Sequence, residues 1–413
     1  MRHPFIDLLR DGPVRTLWVG LATSALGSQL YGIGIVWLAI DIAGTDAGFV
    51  PAAGQAAVVL MSLTAGLFVD RLPPRATMIA TDLARAVVTL TPVVLALTVG
   101  LTMPVLVLSV VVLSALHSIF DPLLYAGVPR LARTPERIQA TNGLIDATVR
   151  LSRFAAPVLA GALAPVLPVI HLLTLNALSF LASAAALFRL GNALDPVAPV
   201  ALPASPIARM LHGFGVVRRD RLMRRILAAN TLAVMAWALG VTLGIPMLVA
   251  EHRSEGAGGL VAVGLLLGAY GGADLLSNLI VSARRPRRPW TFMHAGYVGM
   301  GIGLALLPPA LLLPPEPFAL PLAMLAAAVA GFGGPIFFLP MSTLVQTRFA
   351  GIDLAGVLRL RISLIAGSMM LGSAAGTWLF AGIGSAATVT GCGALIAAVG
   401  LSGLIWRERE VDG

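Results

Sequence analysis

Apolar residues in this chain fall in long blocks, neither alternating nor confined to narrow helical stripes. About 20 apolar residues in a helix match the hydrocarbon thickness of a bilayer. Cutting the chain at its Pro, Gly and charge clusters places twelve such blocks, near 15–40, 49–69, 77–100, 104–128, 140–164, 167–188, 226–250, 259–283, 290–313, 318–346, 356–380 and 385–406. Lipid offers no partner to a free backbone amide, so each block is expected to be a helix. The pattern predicts an all-α polytopic membrane protein.

Composition agrees. Of the 413 residues, 58% are hydrophobic and 11% charged. A soluble domain carries about 25% charged residues, which excludes an ordinary soluble enzyme, a disordered chain or a coiled coil. The net charge of +9 would suggest nucleic acid were it not for its placement. Every basic residue is arginine, and the arginines alternate with the spans. Arg71 and Arg75, Arg130 to Arg137, Arg189 to Arg225, Arg284 to Arg288, Arg348, and Arg407 with Arg409 share one side. Asp41, Asp46, Glu251, Glu255 and Glu316 take the other, with Arg253 as its one basic residue. The positive-inside rule then puts both termini in the cytoplasm of a bacterial inner membrane. Trp18, Trp290 and Trp406 sit at span ends, where aromatic anchors are expected. The charged start, MRHPFIDLLRDGPVR, has no cleavable signal pattern, so the first span is expected to stay. Cys392 is the one cysteine, which rules out an internal disulfide; no zinc spacing and no cofactor motif occur.

The longest hydrophilic stretch divides the spans evenly. The expected domains are 1–188, a linker 189–225, and 226–413. Within the linker, Ile207, Met210, Leu211, Phe214 and Val217 lie at helical spacing beside Arg209, His212, Arg218 and Arg219, the pattern of a helix on the inner leaflet. An ungapped shift of 213 residues maps Arg71 onto Arg284, Arg75 onto Arg288, Pro122 onto Pro335, Tyr125 onto Phe338 and Gly143 onto Gly356. Two related six-helix halves are a transporter arrangement.

The loop after the second span reads Gly66-Leu-Phe-Val-Asp70-Arg71-Leu-Pro-Pro-Arg75, followed by Asp82 and Arg85. It resembles the signature loop of the major facilitator superfamily, with Pro73-Pro74 in place of a Gly-Arg pair. The fifth span carries Ser152-x-x-x-Ala156-Pro157-x-x-Ala160-Gly161, similar to the superfamily's antiporter motif with small residues for three glycines. Val128 to Gly143, Thr148-Val-Arg150-Leu and Gln346 look like the enterobactin-exporter and macrolide-efflux branch. The resemblance implies the superfamily's fold of twelve helices in two six-helix pseudo-repeats. It also implies a gating role for Gly66, Asp70, Arg71 and Arg75, supported by Asp82 and Arg85, and a bend at Ala156, Pro157 and Gly161 between the halves. The basic residue usual in the fourth span of proton antiporters is missing; His117 and Asp121 stand there.

A charge in the bilayer core costs at least about 2.5–3.5 kcal/mol, so charges within spans are functional candidates. Asn142, Asp146, Arg150 and Arg153 share one face of the fifth span. Asp146 can pair with Arg150, leaving Arg153 for an anionic ligand. His117, Asp121 and Tyr125 form a stripe on the fourth span, Tyr270 and Asp274 lie on the eighth, and Ser28 and Tyr31 on the first. Asp121, Asp274 and His117 are read either as proton-coupling groups or as partners neutralising the arginines. The tyrosines are read as substrate contacts or as helix packing. With these residues the first half would supply a polar wall and the second a mostly apolar one.

No nucleophile–base pair, metal set or nucleotide loop favours an enzyme. The reading is a monomeric, proton-coupled exporter of a small anionic molecule, such as a siderophore or related metabolite, working in the lipid bilayer without nucleic acid. The alternatives are a broad drug or macrolide efflux pump, a lysophospholipid flippase, or a sensor on a transporter fold. The topology has a direct check. Alkaline phosphatase joined after Glu251 is expected to be active, and a fluorescent protein at the C-terminus to fluoresce; the reverse pattern overturns the orientation.

Overall fold

The computed structural model describes residues 8–64, 73–132, 134–191, 206–252, 257–282, 286–349 and 351–406. Among these all regular structure is helical. The spans are α1 (Gly12–Ala43), α2 (Phe49–Thr64), α3 (Pro74–Thr98), α4 (Met103–Ala132), α5 (Pro135–Leu163) and α6 (Ile170–Arg189). A linker helix (Pro206–Arg219) precedes α7 (Arg221–His252), α8 (Ala257–Ser282), α9 (Pro289–Leu312) and α10 (Ala319–Arg348). The last helical run, Gly351–Ile405, is interrupted at Gly384, whose φ of 79° and ψ of 166° no other residue type adopts easily. The break yields α11 (351–383) and α12 (385–405).

Nine stretches of the described residues are long and apolar enough to cross a membrane. Two of them, Gly12–Met61 and Gly356–Ile405, are each two spans joined by a turn. α5 is not among the nine, because Asp146, Arg150 and Arg153 fall within it; it completes a set of twelve. Its start lies about a turn earlier than the apolar pattern suggests. Thr134 caps it by accepting from the Arg137 amide, and Pro135 follows at the first helical position. Asp220 caps α7 by accepting from the Met223 amide.

Helices α1–α6 pack chiefly against one another, and α7–α12 do likewise. Glu251 at the end of α7 accepts hydrogen bonds from the backbone and hydroxyl of Ser385, just past the Gly384 break. The linker helix leans on α11, where His212 meets Asp353 at 2.6 Å and Val217 is buried. Its Leu211 and Phe214 stay exposed, in keeping with a helix that faces lipid.

The first group is organised around a buried ion pair. Asp82 and Arg85, one turn apart on α3, are joined at 3.0 Å with side chains 0% and 1% exposed. Arg85 also donates to the Leu116 carbonyl at 3.3 Å and lies over the rings of Phe120 and Phe180. The pair therefore ties α3 to α4 and α6 inside the first group. Removing one partner strands the other: Asp82→Ala is expected to cost about 3–5 kcal/mol, read as a lowered melting temperature in detergent. Asp82→Ala with Arg85→Leu, which removes both charges, is expected to recover most of that loss. A double variant no better than the single would show that the pairing contributes little.

Candidate substrate cavity

Among the described residues two main contacts join the helix groups, beside a slighter one between α1 and α7. At the first, α5 crosses α8. A β-carbon at Gly264 would lie 2.6 Å from the Pro157 carbonyl oxygen and 2.8 Å from the Gly161 Cα, so only glycine permits the approach. Ala156 and Ala160 are fully buried at the same crossing. The motif residues Ala156, Pro157 and Gly161 thus sit between the groups. At the second, the start of α2 meets α11: Gly48 abuts Ser373 and Thr377, and Phe49 packs edge-on against Trp378 with ring centroids 6.0 Å apart.

Both contacts lie toward the membrane face away from the chain termini. There α1 is enclosed on every side over Gly34–Trp37, and α7 over Gly244–Val249. Toward the termini the polar side chains of the spans become accessible. Asp146 is 63% exposed and Arg150 16%; His117 and Asp121 are each about half exposed, and Tyr125 is 52% exposed. Asn142 and Arg153 are exposed as well. Charges at this depth are costly against hydrocarbon, so we read these side chains as lining a water-accessible cavity on the terminal side.

Inside it, the Arg150 Nε donates to Asp146 at 2.8 Å. His117 and Asp121 face each other at 3.5 Å, within electrostatic range of the buried Arg85. Arg153 makes no hydrogen bond or ion pair among the described residues; Asp274 of α8 lies within electrostatic range of both Arg153 and Arg150. Tyr270 accepts from the Trp237 indole at 2.8 Å, where α7 turns into the π-helical segment Ala238–Leu243. Such segments often mark functional positions.

Other expected residues fall elsewhere. Tyr31 is 6% exposed and shares a 3.2 Å hydrogen bond with Ser109, so in this state it packs between α1 and α4 instead of lining the cavity. Ser28 is half-buried on the same helix. Asp82 and Arg85 lie inside the first group, as described above. Arg75 donates to the Leu187 and Phe188 carbonyls at the end of α6 and lies over the Phe188 ring. Gly66, Asp70 and Arg71 lie outside the described residues.

The superfamily model for Major Facilitator Superfamily proteins matches residues 17–358. The chain belongs to the major facilitator superfamily. It is a transporter and not an enzyme. A curated superfamily relative, the multidrug efflux pump Tap of Mycolicibacterium fortuitum, is 25% identical over 354 residues, covering 83% of this chain and 84% of Tap. Among solved structures, a bacterial homologue of the iron transporter ferroportin in its inward-facing state superposes with a TM-score of 0.71 at 16% identity, covering 97% of this chain and all of that one. The nucleoside transporter NupG (D323A mutant) gives 0.71 at 13% identity, with 95% and 100% coverage. The human organic anion transporter MFSD10 gives 0.59 at 18% identity, with 97% and 99% coverage.

The second wall of this superfamily cavity is more polar than the apolar pattern predicts. Beyond Asp274 the spans of the second group hold Ser342 and Arg361, the latter 4.7 Å over the Phe338 ring. The shift of 213 residues, which pairs Tyr125 with Phe338, was the signal pointing there. The cavity's opening can be tested in a Cys392→Ser background. Asn142→Cys and Tyr125→Cys are expected to react with a membrane-impermeant maleimide applied on the terminal side. Val36→Cys and Val249→Cys are expected to stay unreactive from the far side, and rapid labelling there would contradict the seal.

Proposed function

We propose that this protein exports a small, apolar-bodied anion across the bacterial inner membrane by alternating access, with protons as the coupling ion. The observation that carries this reading is Arg153: exposed in the cavity, without an ion pair, beside an Asp146–Arg150 pair that satisfies itself. A guanidinium in a confined, partly dehydrated space holds an oxyanion through two parallel hydrogen bonds. The cavity in this state is read as facing the cytoplasm, from which an exporter loads. Residues 1–188 and 226–413 would rock as two bodies about the α5–α8 and α2–α11 contacts. A siderophore or related acidic metabolite fits such a site.

Asp274 supplies the coupling. As a carboxylate it attracts Arg150 and Arg153 and competes with the cargo for them. Protonation removes that competition, so proton binding at Asp274 tightens oxyanion binding by linkage. His117 and Asp121 form a second protonatable pair in the same cavity.

A second reading, multidrug efflux, is favoured by the similarity to the multidrug efflux pump Tap, and its cationic form sets the sharpest contrast. Here Asp274 and Asp121 would bind the cargo directly, and proton and drug would compete. One experiment separates the two. Arg153→Ala is expected to cut export of an acidic substrate at least about 10-fold at unchanged protein level, the loss of roughly 1.4 kcal/mol of recognition. Asp274→Asn is expected to retain oxyanion binding and to weaken its dependence on pH. Loss of ethidium efflux in Asp274→Asn, with Arg153→Ala active, would replace the anion reading with the cation one.

A further inference from the structure

Gly334, Phe338 and Ser342 follow one another at steps of four along α10 and form a single stripe. At its upper end the stripe reaches Asp274, since a β-carbon on Gly334 would lie 3.3 Å from Asp274 Oδ1. Each four-residue step descends about 6 Å toward the open side. One step down is Phe338, 38% exposed; two steps down is Ser342. Arg361 of α11 lies across these two. Its guanidinium sits 4.7 Å above the Phe338 ring, and its Nη1 donates to the Ser342 hydroxyl at 3.4 Å. Its Nε is buried without a hydrogen-bond partner, and no carboxylate pairs with Arg361 among the described residues. Tyr297, buried behind it, is within electrostatic range.

A cation inside a span, resting on an aromatic ring and a hydroxyl with no acid to balance it, is costly to keep for packing alone. The opposite wall has matching parts. Tyr125, which the internal repeat pairs with Phe338, stands near Asp146, and Arg150 and Arg153 lie above it. Each wall thus offers an aromatic surface and a guanidinium, and the Asp274 carboxylate lies within electrostatic range of Arg150 and Arg153. That carboxylate repels an anion placed against it, so an acidic group on Arg361, two helical steps below Gly334, is accommodated only apart from one on Arg153.

We propose that Arg361, seated on Phe338 and Ser342, is a second oxyanion-binding residue of the cavity. The cargo is then a dianion whose acidic groups are separated by an apolar, preferably aromatic body, one group held by Arg153 and the other by Arg361. This rests on the oxyanion reading of Arg153 given above.

The test is equilibrium binding to the purified full-length protein in detergent, with two rigid probes: naphthalene-2,6-dicarboxylate and its one-acid counterpart 2-naphthoate. The native protein is expected to bind the dicarboxylate at least about 10-fold more tightly. Arg361→Gln is expected to bring the two affinities together while 2-naphthoate binding stays as before, and Arg361→Lys to keep part of the preference. Arg153→Gln is expected to weaken both probes. Equal affinities in the native protein, or a full preference retained in Arg361→Gln, overturn the second seat and leave Arg153 standing. Native protein that binds neither probe, or Arg153→Gln that binds both as before, overturns the underlying oxyanion reading and this inference with it. If Arg361→Gln does not yield folded protein, Phe338→Leu removes the ring and no charge. It is expected to reduce the preference several-fold, and an undiminished preference there counts against the seat.

Discussion

Lipid cannot solvate a charge or accept a hydrogen bond, and the arrangement of this protein follows from that constraint. Every polar group placed within a span has to be met by another group of the chain or by water. The chain uses both solutions. Asp82 and Arg85 are met from within, by each other, by the Leu116 carbonyl and by two aromatic rings, with only Asp82 Oδ2 and Arg85 Nε of the pair left without a hydrogen bond among the described residues. Asp146, Arg150, Arg153, His117, Asp121 and Asp274 instead keep part of their surface accessible. The division separates what holds the first group together from what can meet a solute.

The packing between the groups obeys a related economy. Helices in lipid gain little from burying apolar side chains against each other, so close approach depends on small residues and backbone contact. The glycines of α8 against Pro157 and Gly161, and Gly48 against α11, make that approach on the sealed side. On the other side the accessible side chains include charged and aromatic ones. Sealing and opening are thus written into residue size at one end and residue charge at the other.

Much of this could be read from the sequence, for a physical reason. Spans are long blocks with a fixed length requirement, and arginine placement carries side information, so the twelve helices and the family follow from the chain alone. The face shared by Asn142, Asp146, Arg150 and Arg153 follows from helical periodicity, and the Asp146–Arg150 pair forms as that spacing dictates. What periodicity does not carry is which neighbour a face meets. Tyr31 looks like a cavity residue by type and depth, yet Ser109 on α4 takes its hydroxyl. Asp82 and Arg85 follow the signature loop in sequence, yet the helix turns them toward α4 and α6. Arg361 reads as a membrane-edge arginine until α10 and α11 are seen side by side.

The low apolarity of α5 also bears on how the protein is made. A segment with an acid and two arginines is a poor candidate for leaving a translocation channel into lipid alone, and its cavity neighbour Asp274 lies on a helix synthesised more than a hundred residues later. The Asp146–Arg150 bridge needs no such neighbour, because it forms as soon as that turn of helix does. The same contact that shapes one wall of the mature cavity therefore lowers the cost of bilayer insertion during biosynthesis. Its loss would be felt first as failed assembly in the membrane.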